Sequence, residues 1–314
     1  MGTLILHWQP LPEGARLVRA QGDSPVVRLP RQVEGRPILE AGPYCFSATP
    51  PQPRGPVKVT PLGEEGPVTD LAGNYLRELE LPGSLRLLDN AAFYNCRKLE
   101  RLRAGPALTQ TGSDLFSNCF ALTRLELEAS AGEATGLRKL LAALPGDLEV
   151  VFRDARLFFP EYDEEMDETA PAHIFSRTIS GEGYRYRQCF SGDVVNLGEY
   201  DATFLREKAG EDLRSMCRLA LGRLEFPFAL SPAARQTYLE YLSANGSTAL
   251  TYLVEARDTR GIQFFLGLGV ADPAALEAGQ ALALKKGLGE ISALLLDWQH
   301  RLFAPRKKTY DFDF

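Results

Sequence analysis

Apolar positions return along the chain at a fixed displacement of 23 residues. Leu76-Arg-Glu-Leu79-Glu-Leu81 comes back as Leu99-Glu-Arg-Leu102-Arg-Ala104, and again as Leu122-Thr-Arg-Leu125-Glu-Leu127. Between them Ala92-Phe93-Tyr94-Asn95-Cys96 returns as Leu115-Phe116-Ser117-Asn118-Cys119, and Leu85 returns as Leu108. A period in this range marks a leucine-rich solenoid whose coils each carry one short strand. Leu79 and Leu81 alternate along such a strand and point inward. One coil cannot bury that face alone, so neighbouring coils must stack. Phe93 over Phe116 and Cys96 over Cys119 are the ladders this predicts.

The pattern frays in both directions. Adding 23 to Leu125 and Leu127 gives Leu148 and Val150, inside a strand-like LEVVF. Glu133 to Leu144 predicts a helix, with Leu137, Leu140, Leu141 and Leu144 at helical spacing, and suits a closing coil. Upstream, Val57 and Val59 lie 22 residues before Leu79 and Leu81, and Val27 and Leu29 a further 30 back. An insertion around Val33-Glu-Gly-Arg-Pro37 accounts for the longer step. About six coils result, the first two irregular. Twelve of the 21 prolines fall in the first 70 residues, as tight non-helical turns require.

The string from Leu79, L-E-L-P followed by A-F-Y-N-C and K-L, resembles the BspA-type leucine-rich repeat of bacterial proteins. Leu29-Pro30, Val33-Glu-Gly-Arg-Pro-Ile38 and Ala41-Gly-Pro-Tyr44-Cys45-Phe46 are similar to that family's common first coil. The resemblance runs from about residue 25 to 152 and implies a binding role. The members that are understood are mostly surface-exposed binders and adhesins.

Beyond Arg153 the period stops. Residues 161–168, EYDEEMDE, carry six acidic groups in eight positions and read as a solvated crossing. Two strands are expected at Ile174–Ile179 and Tyr184–Phe190, joined by Gly181-Glu-Gly183. From about 201 the spacing is helical: Leu213, Met216, Cys217, Ala220, Leu221 and Leu224 form one stripe, stopped at Phe226-Pro227. Ser231-Pro232 opens the next helix and Asn245-Gly246 closes it, while Ser247, Asp258 and Asp272-Pro273 are further starts. A last helix buries Ile291, Leu294, Leu295 and Trp298. Short paired helices with Gly267-Leu-Gly269 and Asp272-Pro273 between them are similar to ankyrin repeats without the hairpin, although T-P-L-H is missing. The predicted class is α+β: a leucine-rich-repeat β-solenoid over 1–154, an acidic crossing with a small β-hairpin over 155–200, an all-α domain of ankyrin-like helical hairpins over 201–303, and an exposed tail, with Arg306-Lys307-Lys308, over 304–314.

Composition narrows the function classes. The 314 residues are 45% hydrophobic and 24% charged, as in ordinary folded proteins. A net charge of −6 and a pI near 5.3 argue against nucleic acid as partner. No apolar run is long enough to span a membrane. The start MGTLILHWQP has no basic region and is broken by Pro10, so it does not read as a secretory signal. Five widely spaced cysteines point to reduced thiols and a cytoplasmic location. The cell surface is the alternative if the chain continues upstream. His7, His173 and His300 lie too far apart to suggest a metal site, and no cofactor is expected.

The first candidate binding site is the outward strand face. With Leu79 and Leu81 inward, Glu78 and Glu80 face out, followed by Arg101 and Arg103, then Arg124 and Glu126, then Asp147 and Glu149. The competing account is that these charges pair across strands and keep the sheet in register, at about 0.2–1 kcal/mol per pair. Arg185 and Arg187, on one face of the expected strand, are a candidate anion grip. The simpler account packs Tyr184 and Tyr186 inward and lets the arginines answer the acidic run. His173, Cys189 and Asp193 supply a base, a thiol and an acid, but no nucleophile-elbow surrounds Cys189. Gly267-Leu-Gly269 lacks the third glycine of a dinucleotide site. Cys96 and Cys119 take core positions, where a thiol acts as a small hydrophobe. The expectation is a non-enzymatic protein–protein interaction scaffold, bacterial and intracellular, whose partner is a protein. A surface binder and an enzyme with a ligand cleft between the two halves are its rivals.

Overall fold

The computed structural model describes residues 2–169, 174–181, 183–207 and 212–303. The chain divides into two compact units, Met1–Thr203 with Phe226–Ala229, and Phe204–Glu225 with Leu230–Phe314. Ahead of the periodic region come β1 (Leu4–Pro10), β2 (Ala15–Gly22), β3 (Val26–Arg28), β4 (Gln32–Val33), β5 (Arg36–Ala41), β6 (Lys58–Leu62) and β7 (Thr69–Asp70). The coils then supply β8 (Glu78–Glu80), β9 (Leu87–Leu88), β10 (Arg101–Ala104), β11 (Gln110–Thr111) and β12 (Arg124–Leu127). After them come α1 (Leu137–Ala142), β13 (Leu148–Val151) and β14 (Arg156–Phe159). One sheet has the order β14-β13-β12-β10-β8-β3 and is parallel except at β14. The other runs β11-β9-β5-β2-β1-β6, with β4 on β5 and β7 on β2. Successive coils thus give one strand to each sheet, which is a β-solenoid of about six turns.

The 23-residue displacement sets the register. Leu102 pairs with Leu79 on one side and Leu125 on the other, and all three are buried. At the turns, N–H groups of Ala91, Phe93 and Asn95 donate to carbonyls of Ser113, Leu115 and Ser117 in the next coil. Tyr44, Phe46 and Ala48 donate in the same way to Asn90, Ala92 and Tyr94. Phe46, Phe93 and Phe116 stack with ring centroids 5.0 and 5.4 Å apart. Asn95 and Asn118 both take φ of 63°, a left-handed position that asparagine tolerates. The Asn118 side-chain amide donates to Asn95 Oδ1 at 2.7 Å. Each following thiol donates to a phenylalanine carbonyl one coil back, Cys96 to Phe46 at 2.9 Å and Cys119 to Phe93 at 3.0 Å. The Phe-x-Asn-Cys string is therefore one structural unit: an aromatic rung, a left-handed corner and a thiol that ties the corner to its neighbour.

Outside the central coils several expectations change. The strand beside β8 is β3, with Val27 opposite Leu79, while Val59 lies in β6 and pairs with His7 of β1. Val57 and Val59 therefore make no coil. The N-terminal hairpin offers β6 an antiparallel edge, and the step between Val27 and Leu79 carries the extra strands β4 to β7. Glu34 and Gly35, both at positive φ, turn β4 into β5 as a two-residue hairpin. At the other end Leu125 meets Val150 rather than Leu148. The coil containing α1 is longer than its predecessors, and the register moves by two.

The segment after β14 differs more. It holds β15 (Asp163–Thr169), β16 (Ile174–Ser180), α2 (Gly183–Tyr186), β17 (Phe190–Ser191), β18 (Val194–Val195) and α3 (Leu197–Glu207). The acidic run is not a crossing but lies in and beside β15, which pairs antiparallel with β16. The expected strand Tyr184–Phe190 is a helical turn instead. Gly183 starts it against the backbone of Pro160, so closely that a Cβ there would lie 1.9 Å from the Pro160 carbonyl oxygen. No side chain fits, and the chain must turn. The helix expected from 201 begins at Leu197.

The second unit contains α4 (Leu213–Glu225), α5 (Pro232–Ala244), α6 (Gly246–Glu255), α7 (Thr259–Gly267), α8 (Pro273–Lys285) and α9 (Gly289–Phe303). Ser231, Asp258 and Asp272 accept from the N–H groups of Ala234, Gly261 and Ala275, as N-caps do. Ser247 starts no helix, because α6 begins at Gly246 directly after Asn245 ends α5. Gly279 lets α8 approach α6: a Cβ there would sit 2.9 Å from Leu250. Ile291 and Leu295 of α9 are buried, while Leu294 and Trp298 are half-buried. The tail 304–314, with Arg306-Lys307-Lys308, lies outside the described residues.

Candidate functional site

The outward face of the parallel sheet carries the charged rows. Alternation fixes their direction, since Leu79, Leu102 and Leu125 are buried and the residues flanking them are not. Arg101 stands between Glu78 and Arg124, and Arg103 between Glu80 and Glu126. Arg101 reaches Glu78 at 3.5 Å, and Arg103 bridges Glu80 at 3.8 Å and Glu128 at 2.9 Å. Arg124 pairs with Glu126 at 2.8 Å and also with Glu149, and Arg156 lies 3.7 Å from Glu149. Arg28 extends the row through Glu80 at 2.9 Å. Burial alone would lower the Arg124 pKa, but the two carboxylates raise it.

The face therefore combines two properties. Its charges are mutually paired, which serves register and solubility. They are also accessible: the side chains of Arg101 and Arg103 are 47% and 44% exposed, against 32% for Arg124. A shallow depression of about 160 Å³ is lined by Arg28, Glu78, Glu80, Arg101, Arg103 and Glu126. A partner with complementary charges can exchange these exposed pairs at little cost, because a surface ion pair is worth only about 0–1 kcal/mol. Asp147, expected on this face, instead accepts from the Glu161 N–H. Arg28 and Glu128 were not anticipated. The alternation Val27-Arg28-Leu29 carried the signal for Arg28, and the Val57 register obscured it.

Arg187 is not part of an exposed anion grip. It is buried, and its guanidinium donates to the carbonyls of Leu144, Pro145, Gly146, Pro160 and Gly183. The Tyr162 ring lies 5.0 Å from its guanidinium carbon. Burial pushes its pKa down to about 10. Because Tyr184–Arg187 is a helical turn, Arg185 and Arg187 do not share a strand face.

Of the catalytic parts, His173 lies outside the described residues. Cys189 is buried, its thiol directed at the Arg185 carbonyl at 3.4 Å and near Thr203 Oγ1 at 3.6 Å. Asp193 uses its own carbonyl to accept from Thr135. Gly267 ends α7 and Gly269 follows with φ of 71°. Among the described residues no three His, Cys, Asp or Glu groups converge as metal ligands, and no helix is long and apolar enough to cross a membrane.

Residues 71–135 match the family described as BspA type Leucine rich repeat region (6 copies). These residues are BspA-type leucine-rich repeats. The matched segment contains β8, β10 and β12 and the Phe93 and Phe116 rungs, so the charged face rises from the BspA-type coils themselves. A crystal structure of a leucine-rich-repeat protein from T. pallidum (TpLRR) is 18% identical, covering 39% of this chain and 68% of that one, with a TM-score of 0.21. No curated protein matches the chain.

Proposed function

We propose that the chain is a non-enzymatic scaffold that binds a protein partner on the strand face of its BspA-type coils. The observation that carries this reading is the row of accessible, exchangeable charges on parallel strands, centred on Arg101 and Arg103. Extended strand faces are what solenoids offer to partners, and the row's mixed sign suits a partner of matching alternation. We place this scaffold in the bacterial cytoplasm. Support comes from the five buried cysteines, none of them disulfide-bonded, and from the Cys96 and Cys119 thiols acting as hydrogen-bond donors.

The test is affinity capture from native cells with the wild-type chain and with Arg101→Gln/Arg103→Gln. The glutamines remove charge without setting carboxylates side by side. Partners that bind this face are lost from the variant while its circular dichroism stays native. The same partners retained at the same occupancy would overturn the assignment.

A further inference from the structure

The ladder of corners is closed at its start and open at its end. Alternate N–H groups carry it from coil to coil: Tyr44, Phe46 and Ala48 donate to Asn90, Ala92 and Tyr94, and Ala91, Phe93 and Asn95 donate to Ser113, Leu115 and Ser117. At the first corner the carbonyls of Cys45 and Ser47 occupy the places that Ala92 and Tyr94 hold in the next. The Arg19 guanidinium donates to them at 3.5 and 2.7 Å. At the last corner the matching donors are the N–H groups of Asp114, Phe116 and Asn118. Among the described residues these three have no acceptor. The same holds for one acceptor: Asn95 Oδ1 receives the Asn118 amide, but no described residue donates to Asn118 Oδ1.

The cause lies in the coil that follows. Residues 112–123 join β11 to β12 and make a full corner, whereas only residues 143–147 join α1 to β13. Lys139, one period after Phe116, sits in α1 and donates to the Thr109 carbonyl at 2.8 Å. A fourth corner is therefore missing, and beside the third lies a depression of about 820 Å³. Its donors are already set: Asp114 and Asn118 hold φ of 53° and 63°, against 54° and 63° at Ala91 and Asn95. Phe120 also lines the depression and is 79% exposed. The charged side chains around it are Asp114, Asp147, Glu161 and Lys139, an excess of carboxylates.

We propose that this open corner is a second docking site, and that its occupant is a peptide segment of a partner protein bearing an aromatic and a basic side chain. Alternate carbonyls of the segment accept from Asp114, Phe116 and Asn118, as those of a further coil would. One of its amides donates to Asn118 Oδ1. Its aromatic side chain packs on Phe120, and its basic side chain answers Asp114 and Glu161. A simple anion fits less well, because it meets the same carboxylates and offers Asn118 Oδ1 no donor. A second copy of the chain has no free row to offer, since its own corner carbonyls are taken by neighbouring amides or by Arg19. The fixed backbone of the corner lowers the ordering cost of docking on this side.

The test pans a phage-displayed library of random linear peptides on the full chain and titrates the enriched sequences, as synthetic peptides, into isotope-labelled protein. Enriched peptides combine an aromatic residue with a lysine or arginine. In the free chain the amides of Asp114, Phe116 and Asn118 exchange hydrogen faster than those of Ala91, Phe93 and Asn95, and bound peptide slows them. Phe120→Ser/Glu161→Gln changes two exposed side chains, keeps native circular dichroism and weakens binding about tenfold or more. Arg101→Gln/Arg103→Gln leaves this binding unchanged, so failure here and failure of the strand-face reading are distinguishable. No enrichment, enriched peptides without those side chains, or bound peptides that leave the three amides exchanging as in the free chain would overturn the proposal. So would protection of the same amides by inorganic phosphate alone, which marks an anion site, or by higher protein concentration alone, which marks self-association.

Discussion

The coils between Leu76 and Leu127 and the segment between Arg156 and Thr203 both bury aromatic side chains, yet different physics holds each. In the coils the principal backbone, aromatic and thiol contacts have copies one turn away. Phe93 is stacked on both sides, the amides at the corners each meet the next coil's carbonyl, and the thiols repeat the same donation. In the following segment one guanidinium gathers five carbonyls from three separate stretches of chain, with Tyr162 and Phe159 over its plane. Repetition spreads the load, whereas the hub concentrates it. The first arrangement tolerates imperfect rungs; the second does not tolerate loss of its centre.

Replacing the hub is the sharpest way to break this contrast. Arg187→Met keeps length and apolar bulk but leaves buried carbonyls without donors, and costs about 3–5 kcal/mol. Urea unfolding gives the loss, and hydrogen exchange places it in residues 144–146 and 156–203 before the coils. A loss spread evenly over the first unit would remove the distinction. A rung should matter less. Phe93→Leu leaves part of the stack filled and costs about 1–2 kcal/mol, with exchange in the neighbouring coils only mildly faster.

A smaller effect belongs to the N-terminal sheet. Burial would raise the Asp70 pKa, but hydrogen bonds from Gln21 and Arg19 carry it below the ordinary 3.8. A depressed carboxylate stabilises the fold above its unfolded pKa, and that contribution disappears as pH falls from 3.8 through the lower folded value. Asp70→Asn therefore removes part of the acid dependence of stability below about pH 4 and is measured as a flatter profile of urea midpoint against pH.

The same contrast explains what was legible in the sequence. Leu79, Leu102 and Leu125 announce themselves because a displacement of 23 lines up many positions at once, and the outward Arg101 and Arg103 follow from alternation. The Asn-Cys string was visible as a repeat, although its left-handed corner and thiol donation were not. Arg187 has no copy. Its partners, the carbonyls of Leu144 to Gly146, Pro160 and Gly183, carry no residue-type signal, and the Tyr-Arg-Tyr-Arg alternation resembled a strand. The Val57 register failed for a related reason: two valines at the right offset are too few to outweigh an antiparallel edge on β1. Pairing of β15 with β16 was hidden by charge, which favours solvent without forbidding a strand.

On the proposed function, the strand-face arginines serve recognition more than folding. Urea unfolding of Arg101→Gln/Arg103→Gln tests it most directly. The expected loss is no more than about 1 kcal/mol relative to wild type, because accessible pairs contribute little to stability. A loss of about 3 kcal/mol or more would show that the charges are chiefly structural, and would contradict the account.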